Sequence, residues 1–116
     1  MYMKVTVVPI ARSELESCLS RAEIFYKQGK VVRALASAQA ALLHCKREEQ
    51  RVALNIFIAK CLSRLGRFDE SNAVYRSLID DKVYLPPVIM GLMHNNLQLK
   101  KDDKVSKNMH LIKLFV

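Results

Sequence analysis

The stretches AEIFYKQGKV at residues 22–31 and AKCLSRLGRF at residues 59–68 carry the same pattern, 37 residues apart. In each stretch a small residue is followed seven positions later by glycine, and then by a basic and an apolar residue. A second apolar run follows each glycine, beginning at Ala34 in the first unit and at Ser71 in the second. A repeat of this length predicts stacked supersecondary units, which mostly present a surface to a partner.

The scarcity of turn residues predicts an all-α protein. Only three Gly and three Pro occur among 116 residues, whereas all-β folds need frequent turn residues. We expect one helical domain at 13–116, preceded by a short extended segment at 1–12 whose β-branched residues lack helical spacing. The domain is expected to hold about six helices, at approximately 14–28, 31–46, 49–65, 68–80, 87–100 and 105–115.

Local signals set the expected helix boundaries. Gly29 and Gly66 predict helix ends, because glycine readily takes the left-handed conformation that stops a helix. Pro86-Pro87 predicts the start of the fifth helix, and residues 101–103 (KDD) predict a turn before the sixth. The helices then pair into three antiparallel hairpins, at about 14–47, 49–85 and 87–116, of which the last is divergent.

The repeat resembles that of the tetratricopeptide repeat (TPR) family. The residues that carry the resemblance are Ala22, Gly29, Ala34, Ala41, Ala59, Gly66, Tyr75, Leu78 and Pro86-Pro87. This chain departs from the family in having Ser71 where alanine is usual, no Trp, and a period of 37 residues instead of about 34. The resemblance implies a TPR-like α-solenoid. Another α-solenoid, such as a pentatricopeptide RNA binder, is the alternative.

In TPR proteins the first helix of each hairpin lines a concave groove, so the resemblance implies a set of partner-binding residues. These are Tyr26, Lys27, Ile56, Phe57, Lys60, Arg64, Met90, Met93, Lys100 and Lys101. They would supply an apolar floor and a basic rim for a peptide with an acidic flank. The same residues also fit an inter-repeat core beside a solvated cationic face. Leu19 and Glu23 stand where the family's carboxylate-clamp branch needs Lys and Asn, which argues against that branch.

Charge and cysteine content restrict the partners and the compartment. The formal net charge is +8, and such a surface attracts acidic peptides, phosphates or nucleic acid. No apolar run approaches the roughly 20 residues of a membrane span, and residues 1–12 lack the features of a signal peptide. Three cysteines without close spacing predict reduced, core-packed thiols. We therefore expect a cytoplasmic protein that does not contact a membrane.

Nothing in the sequence favours an enzyme, a cofactor or a metal. The three glycines are isolated, so no phosphate-binding glycine loop exists. His44 and Cys45 are neighbours and would point about 100° apart on a helix, and His94 and His110 have no partner at ligand spacing. The expected function is therefore a protein–protein interaction module. A basic nucleic-acid binder and a structural, oligomerising end of a larger assembly are the alternatives.

Apolar residues near both ends predict a homodimer. Residues 5–10 and 109–116 are largely apolar, whereas a solenoid requires a polar outer face on its terminal repeats. Exchange of the N-terminal segment between two chains would cover both ends. A lid formed by that segment within one chain, or a longer protein of which this chain is a part, would also cover them.

Overall fold

Five helices make up the part of the chain that the structure describes. A computed structural model describes the backbone of residues 14–115 and the side chains of residues 14–101. The helices are α1 (Glu14–Lys27), α2 (Val31–Leu42), α3 (Glu48–Arg64), α4 (Phe68–Asp80) and α5 (Pro86–Phe115). No strand occurs within these residues, so the prediction of an all-α protein is confirmed for them.

Glycine ends both α1 and α3, as the sequence predicts. Gly29 and Gly66 each have a φ of 79°. The Lys30 amide donates to the Phe25 carbonyl at 2.8 Å, and the Gly29 amide donates to Tyr26 at 3.1 Å. The same two bonds recur around Gly66, at 2.9 and 3.0 Å. This pair of bonds defines the Schellman motif, which satisfies carbonyls that the helix leaves without a donor.

The end of α4 has the same geometry without a glycine. Lys82 has a φ of 64°, its amide donates to the Ile79 carbonyl at 2.8 Å, and the Val83 amide donates to Leu78 at 2.8 Å. A side chain at positive φ brings Cβ close to the following carbonyl oxygen, at a cost of roughly 1–2 kcal/mol. The end of α4 is therefore less stable than the glycine-capped ends of α1 and α3.

Replacing Lys82 by glycine is expected to raise the free energy of unfolding by about 0.5–1 kcal/mol. The substitution removes the steric cost of the left-handed residue, and the greater freedom of glycine in the unfolded chain offsets part of the gain. Urea denaturation followed by circular dichroism measures the change. Arg76→Gly, at an exposed position inside α4, is the control and should lose about 1 kcal/mol. A loss of similar size at Lys82 would contradict the assignment.

Two clusters of buried side chains hold the helices together. The first joins α1, α2 and α3, and the second joins α3, α4 and α5. Ala34, Ala38 and Ala41 in α2 are completely buried, as is Ala59 in α3. Small side chains of this kind allow helix backbones to approach closely, so each helix packs against the next one along the chain.

The predicted turn at residues 101–103 and the predicted sixth helix are wrong. Residues 86–115 form one helix instead of the two helices of a third hairpin. The polar residues Lys101, Asp102 and Asp103 cost a helix only a few tenths of a kcal/mol each, and no glycine or proline stands there to stop it. The second helix, by contrast, is shorter than predicted, since α2 ends at Leu42, four residues before the predicted end at residue 46.

Two predictions fall on residues outside the described part. The extended segment at 1–12 lies there completely. The apolar residues that predict a homodimer, at 5–10 and 109–116, have side chains outside the described part of the chain as well. The homodimer therefore stays a prediction.

Candidate functional site

An open groove of about 510 Å³ runs between α3 and α5 and reaches the end of α1. We refer to it as the α3–α5 groove. Its lining residues are Tyr26, Lys60, Ser63, Arg64, Tyr75, Pro86, Pro87, Met90, Gly91 and His94. Four of the ten sequence-predicted partner-binding residues therefore meet here: Tyr26, Lys60, Arg64 and Met90.

Helical spacing explains how these side chains reach one groove. Lys60 and Arg64 are four residues apart in α3, which places them on the same face of that helix. On α5, Pro87, Gly91 and His94 follow at intervals of four and three residues and so form the opposite wall. The two helices therefore present a basic wall and a largely apolar wall to each other.

The two cations of the groove have no acidic partner among the residues whose side chains the structure describes. Among the described residues, the salt bridges join Arg51 to Glu48 and Arg67 to Glu70, and none involves Lys60 or Arg64. None of the described residues that line the groove is acidic. Lys60 and Arg64 are exposed, so their charge is available to a ligand.

An aromatic stack holds Arg64 in place. The Arg64 guanidinium carbon lies 4.9 Å from the centroid of the Tyr26 ring, within the range of a cation–π contact. The Tyr26 ring lies 5.3 Å from that of Phe57, at an angle of 55°. These contacts order the arginine before a ligand arrives, which lowers the entropy that binding would cost.

Tyr75 forms part of the groove although it belongs to α4. Only 2% of its surface is exposed, and its ring and hydroxyl lie against Gly91, where a Cβ atom would overlap them. Burial raises the pKa of the Tyr75 phenol, with a smaller contribution from Tyr26. No described residue forms a hydrogen bond with the hydroxyl. A neutral donor therefore lies at the groove without an acceptor in the described part of the chain.

A buried network of hydrogen bonds lies next to the groove. Asn95 is completely buried, and its Oδ1 accepts from the Ser63 hydroxyl at 2.8 Å. Its Nδ2 donates to Ser71 Oγ at 2.8 Å and to Asn72 Oδ1 at 3.0 Å. Asn72 Nδ2 in turn donates to Asn96 Oδ1 at 3.0 Å. We refer to these five residues as the Asn95 network, which links α3, α4 and α5.

Sequence analysis missed the Asn95 network, although a signal was present. The signal was Ser71, which stands where the TPR pattern has alanine. Its hydroxyl donates to the Ala59 carbonyl at 2.7 Å and accepts from Asn95. Asparagine is a poor helix former, yet Asn72 and Asn95 lie inside helices. Polar residues at such positions indicate partners elsewhere in the fold, but they do not identify them.

The other predicted partner-binding residues lie at several places. Phe57 lines a separate, mostly apolar cavity of about 180 Å³ between α1 and α3. Ile56 packs against the second cluster of buried residues and borders a depression near Val83. Met93 is exposed on α5, and the remaining three are exposed lysines, Lys27, Lys100 and Lys101. Lys101 follows His94 by two helical turns, or about 10 Å along α5.

The cysteines fit the predicted role of small core residues. Cys18, Cys45 and Cys61 are buried and unbonded to one another. Burial raises the pKa of the Cys61 thiol to about 11, and the nearby Arg64 opposes this shift only in part. A thiol with such a pKa is almost entirely protonated near neutral pH and is a poor nucleophile.

Neither a metal site nor a membrane span is found among the described residues. No cluster of three or more His, Cys, Asp or Glu side chains among them has the arrangement of a metal site. None of the helices in the described part of the chain combines the length and the apolar character that crossing a membrane requires.

Comparison with known proteins adds no family to this description. No protein-family model, curated protein or solved structure matches the chain significantly. The resemblance to the TPR family therefore stays a prediction from the sequence.

Proposed function

We propose that this chain is a TPR-like protein-interaction module that binds an acidic segment of a partner protein in the α3–α5 groove. The observation that carries the proposal is the combination of cations and apolar surface in one groove. Lys60 and Arg64 line the groove together with Met90 and Pro87. Neither cation forms a salt bridge with a carboxylate of the described residues. Complementary charge speeds the encounter of two proteins, and apolar contacts hold the complex.

The packing of the helices supports the TPR-like part of the proposal. Gly29 and Gly66 end α1 and α3 with the same pair of hydrogen bonds, at equivalent positions of the sequence repeat. Consecutive helices contact each other along the chain, and α5 packs against both α3 and α4. In a stack of helical hairpins, α5 would occupy the place of the first helix of a third unit.

The aromatic residues favour a peptide over a nucleic acid as the ligand. Single-stranded nucleic acid is usually bound by exposed rings on which bases stack. Here the Tyr26 ring is covered by Arg64, and the Tyr75 ring is buried against Gly91. The groove therefore offers charge and apolar contact without a free stacking surface.

Reversing both groove charges, Lys60→Glu with Arg64→Glu, is expected to lower the association rate with the partner about tenfold at low salt. The full chain would capture its partner from a native lysate, and biolayer interferometry would then measure the rate at two salt concentrations. Circular dichroism should show an unchanged helical content, because both side chains are exposed.

The matched control changes the net charge equally at exposed residues outside the groove. Lys46→Glu with Arg47→Glu lies in the connection before α3 and should leave the rate within about twofold of wild type. Equal rates for the groove variant and the wild-type chain would show that the partner binds elsewhere and would refute the proposed site.

A further inference from the structure

The buried hydroxyl of Tyr75 gives the α3–α5 groove more specificity than a general acidic segment requires. A buried polar group without a partner is costly, and native structures seldom retain one without a reason. Tyr75 is 2% exposed, and its hydroxyl forms no hydrogen bond with any residue that the structure describes. Its hydroxyl lies against Gly91, which also lines the groove. Tyr75 is itself one of the lining residues, so a ligand that enters the groove can reach this donor.

The charges of the groove indicate what kind of acceptor fits. Lys60 and Arg64 supply two positive charges, and no acidic residue occurs in the described lining of the groove. A carboxylate would balance one of these charges. A phosphate monoester carries about −1.5 to −2 near neutral pH and has three acceptor oxygens, so it can engage both cations and the phenol together.

We propose, on the basis of the function proposed above, that the α3–α5 groove is a subsite for a phosphorylated side chain of the partner protein. The Tyr75 hydroxyl donates to one phosphoryl oxygen. Lys60 and the ring-stacked Arg64 bind the remaining oxygens and balance their charge. Met90 and Pro87 contact the neighbouring residues of the bound segment.

A monoester suits this groove better than a nucleic-acid strand does. A phosphodiester carries one charge, and a strand distributes its charges over many phosphates, so it requires a long basic track. Here two cations lie one helical turn apart on α3, beside the apolar Met90 and Pro87. Both charges lie on one face of a single helix, which matches one dianionic group on a peptide.

Titration of the full-length, ¹⁵N-labelled chain with short peptides tests the proposal. The probe is an acetylated and amidated pentapeptide with phosphoserine between glycines, and the comparison peptides carry glutamate or serine in its place. We expect saturable shifts of the Lys60, Arg64 and Tyr75 amides, with an affinity at least tenfold higher for the phosphopeptide than for the glutamate peptide.

Tyr75→Phe removes the proposed donor and keeps the ring that packs against Gly91. It is expected to weaken phosphopeptide binding about fivefold while leaving the melting temperature unchanged or higher. Lys60→Gln should weaken binding at least as much, and Lys46→Gln, at an exposed position outside the groove, is the control. Unchanged affinity in Tyr75→Phe would overturn the role of the hydroxyl.

Three further ligands test whether the groove prefers another anion to a phosphorylated side chain: the glutamate peptide, inorganic phosphate and a short oligonucleotide. Equal affinity for the glutamate peptide would show a carboxylate site. Inorganic phosphate that binds as tightly as the phosphopeptide would show a site for the free ion, and tighter binding of a short oligonucleotide would show a nucleic-acid surface. Each of these results would overturn the proposal.

Phosphatase treatment distinguishes failure of this inference from failure of the proposed function. Partner capture that depends on Lys60 and Arg64 but survives phosphatase would refute the phosphoryl subsite alone. Capture that does not depend on these two residues would refute the protein-binding groove itself.

Discussion

Gly91→Ala is expected to lower the free energy of unfolding by about 1–2 kcal/mol, although alanine is the better helix former. A Cβ atom at this position would overlap the ring and the hydroxyl of Tyr75. Tyr75 is 2% exposed and packs in the second cluster of buried residues, so it cannot move aside without leaving the core. Overpacking of this kind typically costs 1–3 kcal/mol, and the fixed position of the ring places this site in the upper part of that range. The gain of about 1 kcal/mol in helix propensity offsets part of the cost and leaves a net loss of about 1–2 kcal/mol.

A double-mutant cycle with Tyr75→Leu identifies the cause of that loss. Leucine lacks the ring atoms that approach Gly91, so Gly91→Ala in this background should be neutral or stabilising by up to about 1 kcal/mol. Urea denaturation of the four proteins measures the coupling. If Gly91→Ala cost the same in both backgrounds, the close approach of Tyr75 would not be its cause.

The sequence predicts the parts of the fold that local chemistry decides. Gly29 and Gly66 end their helices because each stands at the position where a Schellman motif needs a left-handed residue. The same reasoning fails at residues 101–103, because polarity alone does not stop a helix. Lys82 shows the converse, since a lysine takes the left-handed conformation that sequence rules assign to glycine.

Helical periodicity by itself predicts only the part of the candidate site that one helix determines. Lys60 and Arg64 share a face of α3 because of helical periodicity, which the sequence shows directly. Tyr75 and Gly91 belong to different helices, and their contact depends on how α4 and α5 pack. The hydrogen bonds of Asn95 likewise join residues 23 to 32 positions apart, so no local pattern reveals them.

The Asn95 network should be the most sensitive polar feature of the protein. Asn95→Ala removes three hydrogen bonds and leaves the buried Oδ1 of Asn72 without a donor. At about 1 kcal/mol for each bond, with a further penalty for the unsatisfied oxygen, we expect a loss of roughly 3–4 kcal/mol. Asn96→Ala is the neighbouring control. Asn96 is exposed and makes one bond in the network, so its loss should cost about 1 kcal/mol.

Asn95→Asp tests the geometry of the network more sharply, because the two side chains have nearly the same shape. The carboxylate would turn an acceptor towards Ser71 Oγ and Asn72 Oδ1, where the amide now donates, and would bury a charge with no counterion among the described contacts. A buried charge without a counterion, such as the one left when a partner of a buried ion pair is removed, costs about 3–5 kcal/mol. We expect a loss of that size in the free energy of unfolding here. Because burial raises the pKa of such a carboxyl, its proton stabilises the folded state, so the variant should regain stability as the pH falls. If the free energy of unfolding fell by only about 1 kcal/mol and the loss did not change with pH, Asn95 would not be enclosed by α3, α4 and α5.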